Sequence, residues 1–251
     1  MTLEDGLHLA FLVAVALAIG SFVGVLVLRL PAGQGLWGRS SCPCCRATLG
    51  VPDLVPVASW LWLRGRCRHC HAAVGIYYPT IEIAAVGIAL WAWSDMDGWV
   101  LWASCAFGWT LLALAMIDFW NMVLPDSLTL PLIVAGPLVA LEAAPDSVLD
   151  DVIGAISGFA LFTLVAWAYR RLRGREGLGA GDAKLLAALG AWVGASGLPS
   201  VVLLGSLTAL VAALAVRALR PREPGQDRVP FGPALALAGW VVWLYGPLAF
   251  G

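Results

Sequence analysis

Long apolar runs separated by short polar turns constrain this chain more than any other feature of its sequence. A helix that crosses a bilayer needs about 20 mainly apolar residues. Eight runs approach this length, at Leu7–Leu28, Tyr78–Trp93, Trp99–Ile117, Leu128–Leu141, Val152–Tyr169, Ala183–Val193, Val201–Val216 and Pro233–Phe250. Only 12% of the residues are charged, whereas soluble domains carry about 25%. We therefore predict an all-α polytopic membrane protein with about eight transmembrane helices.

The charges divide cleanly across this predicted topology. If the N-terminus is outside, the inside segments are residues 29–77, 118–127, 170–182 and 217–232. All 15 basic residues lie in or just beside them: Arg29, Arg39, Arg46, Arg64, Arg66, Arg68, Arg170, Arg171, Arg173, Arg175, Lys184, Arg217, Arg220, Arg222 and Arg228. The outside ends carry acidic residues and no Lys or Arg. This positive-inside pattern predicts that both termini lie outside and that the first helix, which follows Glu4 and Asp5, is not a cleavable signal.

One sizeable polar segment, residues 32–77, separates the first two helices. It contains Cys42-Pro43-Cys44-Cys45 and Cys67-Arg68-His69-Cys70. Two such knuckles about 20 residues apart have the spacing of a four-cysteine zinc site. We predict a first helix over residues 1–31, a cytoplasmic zinc-binding loop domain over 32–77 and a seven-helix membrane domain over 78–251.

The predicted zinc ligands are Cys42, Cys45, Cys67 and Cys70, and the zinc is structural because four thiolates leave no open position. Cys44 is an alternative to Cys45. His69 and His71 are further alternatives, or else solvated loop residues. Cytoplasmic placement argues against disulfides.

Two carboxylates near the cytoplasmic helix ends carry the predicted chemistry. Asp118 ends an apolar run, where the helix dipole disfavours an anion, so a functional role is favoured. Asp126 follows Pro125 and has the position of a helix N-cap. Asp182 follows a glycine-rich turn that contains Gly177, Gly179 and Gly181. Its alternative role is to cap the next helix.

Four further residues have two interpretations each. Gly179 and Gly181 let a second backbone approach closely, or they belong to a flexible loop. Lys184 supports the site or anchors the helix at the interface. Glu82 compensates the N-terminus of the second helix, or it has a polar role in the active site or in binding a second substrate.

Two neighbouring aspartates do not both ionise easily, so one activates water while the other donates a proton. Asp118 and Asp182 are therefore the predicted catalytic pair of a peptide hydrolase that forms no covalent intermediate. A cation-coupled transporter that uses paired aspartates is the alternative, although it would place carboxylates near the midplane of repeated halves. A non-enzymatic assembly subunit is a third interpretation.

Several motifs together resemble one family over nearly the whole chain. Gly179-Ala180-Gly181-Asp182 matches the G-x-G-D motif of intramembrane aspartyl proteases. The sequence as a whole is similar to the bacterial type IV prepilin peptidases. This resemblance rests on Asp118 with Leu124-Pro125-Asp126, the paired knuckles, Gly20-Ser21-Phe22, Tyr78-Pro79-x-x-Glu82 and Pro230-Phe231-Gly232-Pro233. Gly24 departs from it, since the family usually has Asn there.

The resemblance implies an activity, a cofactor and partners. Members of the family cut the short basic leader from prepilins and pseudopilins on the cytoplasmic side of the inner membrane. Many then methylate the new N-terminal amine with S-adenosylmethionine. The expected partners are therefore prepilin substrates and the lipid bilayer, with no nucleic acid. No methyltransferase motif is recognisable in the sequence, so methylation rests on the resemblance alone.

Overall fold

The structure, a computed structural model, describes residues 3–36, 38–174, 178–219 and 230–248. Within these ranges the chain forms α-helices and two short 3₁₀ turns, with isolated β-bridges in place of strands. The helices are α1 (Leu3–Arg29), α2 (Ala58–Trp62), α3 (Tyr77–Asp95), α4 (Gly98–Asn121), α5 (Asp126–Ala143), α6 (Val148–Arg173), α7 (Ala180–Leu219) and α8 (Gly232–Tyr245). The predicted all-α fold is confirmed. Arg175, Gly177, Arg220, Arg222, Arg228 and the predicted helix end at Phe250 lie outside the described residues.

Among the described residues, five helical segments are long and apolar enough to cross a membrane. They are α1, α4, α5, α7 and the segment Pro145–Arg173, which includes α6. Helix α8 is apolar but shorter. The chain is therefore a multi-pass membrane protein, and the number of its spans stays a prediction.

The chain divides into two compact units, of which the first ends at Ala113. In this unit α1 packs against α3 at Gly20, where an added Cβ would lie 2.7 Å from the Glu82 Cα. Only glycine permits so close an approach. The indole N–H of Trp109 donates a 2.9 Å hydrogen bond to the Ala85 carbonyl. The polar segment between α1 and α3 also belongs to this unit.

The second unit begins at Leu114 and contains α5 to α8. Helices α6 and α7 meet through glycines: Gly154 lies against the Gly190 backbone, and an added Cβ on Gly158 would lie 2.7 Å from the Leu186 carbonyl oxygen. Small residues at these positions bring two helix backbones into contact, which is the usual packing mode inside membranes.

Helix α7 contains a break at Gly194, whose φ of 72° and ψ of 172° are not helical. Its two halves contact α8 in opposite directions. Before the break, Leu189 lies against Gly239 and Trp192 against Trp243; after it, Gly197 lies against Val242 and Gly205 against Leu235. The chain therefore reverses at Gly194. The two halves correspond to the predicted helices Ala183–Val193 and Val201–Val216.

Candidate active site and metal centre

Asp118 lies in the last turn of α4 and is only 6% exposed. Its Oδ2 accepts a 2.8 Å hydrogen bond from the backbone N–H of Gly232, the first residue of α8. A helix N-terminus favours a negative charge through its dipole and its unpaired N–H groups. The C-terminal end of α4 disfavours the negative charge of Asp118, and the N-terminal end of α8 offsets this effect. The sequence did not identify Gly232 as the partner of Asp118.

Asp182 is the third residue of α7. Its Oδ2 accepts a 3.1 Å hydrogen bond from the Gly179 N–H, and its own N–H donates to the Gly179 carbonyl at 3.2 Å. The carboxylate therefore caps the start of α7 from within the first turn. Capping was one interpretation of Asp182, and it uses one of the two carboxylate oxygens.

Asp118 and Asp182 belong to the same compact unit, and their charges repel each other. Each carboxylate lies at the N-terminal end of a helix, α8 for Asp118 and α7 for Asp182. Two carboxylates whose charges repel each other do not both ionise easily. The arrangement is able to supply one general base and one general acid.

The start of α7 is held against the loop before α5. A Cβ on Gly181 would lie 3.0 Å from the Leu124 Cβ, so glycine permits this contact. Lys184 Nζ donates to Asp126 Oδ1 at 2.6 Å. The prediction that Asp126 caps α5 is wrong: the cap position is occupied by Pro125 without a side-chain hydrogen bond, and the Asp126 carboxylate pairs with Lys184 instead.

In the first unit, the four predicted ligands come together. The sulfurs of Cys42, Cys45, Cys67 and Cys70 all lie within 4.8 Å of one another, and Cys42 Sγ is 3.8 Å from Cys70 Sγ. A tetrahedral zinc with Zn–S bonds of about 2.3 Å would separate its sulfurs by about 3.8 Å. The cluster therefore fits a metal ion such as zinc. Among the described residues Cys44, His69 and His71 are not part of this group.

The two knuckles have the same backbone. Cys42 N–H donates to the Ala47 carbonyl and Arg46 N–H to Cys42; Cys67 N–H donates to Ala72 and His71 N–H to Cys67. Arg46 directly follows Cys45 and His71 directly follows Cys70, and both have a φ of 58°. This left-handed conformation is costly for a residue with a Cβ, and its repetition shows that the two turns are built alike.

Backbone N–H groups prepare these thiols for metal binding. The N–H groups of Cys45 and Cys44 lower the pKa of the Cys42 thiol to about 6, and those of Cys70 and His69 lower the pKa of Cys67. The N–H of Ala72 acts in the same direction on Cys70, but burial and the three neighbouring sulfurs outweigh it and raise the pKa of Cys70 to about 12. A bound cation would relieve this crowding of thiolates.

Glu82 is buried in the first turns of α3 at 6% exposure. Its Oε2 accepts a 2.7 Å hydrogen bond from the N–H of Val57, which precedes α2, and the carboxylate also hydrogen-bonds Ser21 of α1. Val57 has a φ of 58°, which is an outlier for a β-branched residue. Glu82 therefore joins α1, α2 and α3, and the sequence offered no signal for Val57.

Comparison with known proteins agrees with this arrangement. Residues 14–96 match the bacterial peptidase A24 N-terminal domain, and residues 105–214 match the type IV leader peptidase family. The chain is 38% identical over 267 residues to the prepilin leader peptidase/N-methyltransferase of Aeromonas hydrophila, covering 96% of this chain and 91% of that protein. It is 40% identical over 272 residues to the protein of the same name from Burkholderia pseudomallei (strain K96243), covering 97% and 87%. No solved structure was found to match the chain.

The fold and these side chains define a helical, multi-pass membrane protein with a carboxylate pair and a four-thiol cluster. With full-length relatives at this identity, the chain belongs to the type IV leader peptidase family.

Proposed function

We propose that this protein removes the basic leader peptide from type IV prepilins or pseudopilins at the cytoplasmic face of the inner membrane, and then N-methylates the new terminal residue. The family and the names of the relatives support both activities. The observation that carries the peptidase assignment is the placement of Asp118 and Asp182 in one unit, each at a helix N-terminus. The basic residues beside the predicted inside segments support the cytoplasmic side.

The proposed hydrolysis needs no metal and no covalent intermediate. The ionised aspartate takes a proton from water, and the resulting oxygen attacks the scissile carbonyl carbon. The protonated aspartate donates its proton to that carbonyl oxygen. When the C–N bond breaks, the leaving nitrogen takes the proton that the first aspartate removed from water, the second aspartate regains its proton from the former carbonyl oxygen, and the products are a carboxylic acid and a free amine. Which aspartate is the base is not a property of either residue alone, because the pair shares its proton.

Methylation needs a donor, for which the family implies S-adenosylmethionine. When bound, it supplies a methyl group on a sulfonium to the neutral amine, becomes a thioether and leaves a proton to be released. In this proposal Cys42, Cys45, Cys67 and Cys70 hold a structural zinc that fixes the polar segment. The cation-coupled transporter gains no support, since family and relatives alike are peptidases by name.

The test is co-expression with a prepilin from the same organism, followed by mass spectrometry of the pilin N-terminus. The wild-type chain should yield a product that lacks its leader and carries one added methyl group. Asp118→Asn and Asp182→Asn should each leave the leader in place while the protein remains folded in the membrane. Normal processing by either variant would end the aspartate-pair hypothesis.

A further inference from the structure

A large cavity lies within the first compact unit, and we call it the knuckle cavity. It has a volume of about 690 Å³, is open on one side, and is lined by the end of α1, both cysteine knuckles, α2 and the start of α3. Pockets for small organic ligands measure roughly 300–1,000 Å³ and combine apolar walls with a few polar groups. The knuckle cavity therefore has the size of a site for a nucleoside-sized molecule.

Most charged groups on the cavity wall are already engaged. Arg29 Nη1 donates to the Leu36 carbonyl at 3.2 Å, and Asp53 pairs with Arg68 at 2.6 Å. The Arg68 side chain and the Gly50 N–H hold the pKa of Asp53 below its usual value, so the pair is charged at neutral pH. These contacts shape the wall and leave little capacity for a ligand.

Two other charged residues on the cavity wall are available to a ligand. Within the described part of the chain, Glu82 and Arg66 form no salt bridge, although both line the cavity. Glu82 is buried, and only neutral donors, the Val57 N–H and Ser21, are bonded to it. A buried carboxylate is costly unless an opposite charge or strong hydrogen bonds compensate it. The cavity thus presents one buried carboxyl group, whose ionised form a cationic ligand would stabilise, and one arginine that suits a carboxylate.

Aromatic rings complete the wall. Trp60 is fixed by a 3.0 Å hydrogen bond from its indole N–H to the Val74 carbonyl. The rings of Tyr77 and Tyr78 are 4.0 Å apart between centroids, and all three side chains line the cavity. Aromatic faces stack on nucleobases and attract cations such as sulfonium.

We propose that the knuckle cavity is the binding site for S-adenosylmethionine. Glu82 compensates the positive charges of the donor, Arg66 receives its carboxylate, and the aromatic wall holds the adenine base. This inference rests on the proposed methyltransferase activity and locates it in the first compact unit. Cys42 and Cys67 also line the cavity, so the metal-binding knuckles shape the same wall.

The test measures equilibrium binding to the purified full chain in lipid nanodiscs by calorimetry. S-adenosylmethionine is compared with S-adenosylhomocysteine, which lacks the sulfonium charge and the transferable methyl group. Glu82→Gln should weaken the affinity for S-adenosylmethionine about tenfold or more. It should weaken the affinity for S-adenosylhomocysteine less, because that ligand lacks the sulfonium charge. Arg66→Gln should weaken both ligands by similar factors, because both carry the carboxylate. Asp97→Asn, an exposed acidic residue away from the cavity, should change neither.

Bound zinc and thermal stability report whether each variant is folded, and Arg66→Gln carries the test if Glu82→Gln is unstable. Unchanged affinities in both folded variants would overturn the cavity assignment, and if such variants still methylate the pilin, the proposed function survives. A different result is a wild-type chain that cleaves prepilin but neither binds S-adenosylmethionine nor methylates the product. This result would overturn both the proposed methyltransferase activity and the assignment of the knuckle cavity as the donor site.

Discussion

The Asp118 carboxylate accepts a 2.8 Å hydrogen bond from the backbone N–H of Gly232, 114 residues further along the chain. The contact requires glycine, because a Cβ at Gly232 would lie 2.6 Å from the Asp118 Oδ2. Pro233 follows at once, and its fixed φ suits the first turn of α8. The Pro230-Phe231-Gly232-Pro233 stretch therefore begins a helix at the place where its first N–H meets a buried carboxylate.

Gly232→Ala should displace the Asp118 carboxylate and reduce leader cleavage strongly. A shift of about 1 Å in a catalytic group can cost about 100-fold in rate. The measurement is the initial rate of prepilin cleavage by the purified variant in detergent.

Gly87→Ala is the matched control for this substitution. An added Cβ on Gly87, in the middle of α3, meets no atom within 4 Å. This variant should cleave at the wild-type rate. If Gly232→Ala is folded and equally active, the hydrogen bond to Asp118 does not position the carboxylate for the reaction.

The four-thiol cluster makes a prediction that separates two adjacent cysteines. Cys45 belongs to the cluster, whereas the Cys44 sulfur does not. Cys45→Ser should therefore lose bound zinc and destabilise the first unit, while Cys44→Ser should keep about one zinc per chain. Elemental analysis of the purified proteins gives the zinc content. Equal zinc in both variants would mean that Cys44 can replace Cys45, which was the alternative from the sequence.

The helices and the cysteine turns, which depend on neighbouring residues in the sequence, were predicted well. Apolar runs give the helices because a bilayer demands continuous apolar length, and the C-x-x-C spacing brings Cys42 near Cys45 and Cys67 near Cys70 within single turns. The reversal at Gly194 was anticipated only as a boundary between two short helices. Its left-handed φ of 72° identifies the turning residue.

The sequence did not predict contacts between residues that are far apart in the chain. Asp126 has the local pattern of a helix cap, yet its carboxylate pairs with Lys184, 58 residues away. Asp118 is locally at an unfavourable helix end, but the Gly232 N–H compensates it. Neither partner follows from spacing or periodicity, since the first contact depends on how α5 and α7 pack and the second on how α4 and α8 meet.

The pair of Asp126 and Lys184 should matter little for stability. Their side chains are 55% and 33% exposed, and an exposed ion pair contributes about 0–1 kcal/mol. Asp126→Asn should lower the thermal stability slightly and retain substantial cleavage, and Lys184→Met should behave alike. Complete loss of cleavage in Asp126→Asn, with the protein folded, would place Asp126 in the catalytic site beside Asp118 and Asp182.

The glycine contact between α6 and α7 should be far more sensitive. Gly154 lies against the Gly190 backbone, and an added Cβ has no space because backbone atoms cannot move aside as a flexible side chain can. Overpacking costs about 1–3 kcal/mol in ordinary cores, so Gly154→Ala should reach at least this range. The measurement is the midpoint of thermal unfolding in detergent, with Gly87→Ala as the control that should not lower it. An unchanged midpoint for Gly154→Ala would show that α6 and α7 can separate without cost, and the close packing between them would then not stabilise the second unit.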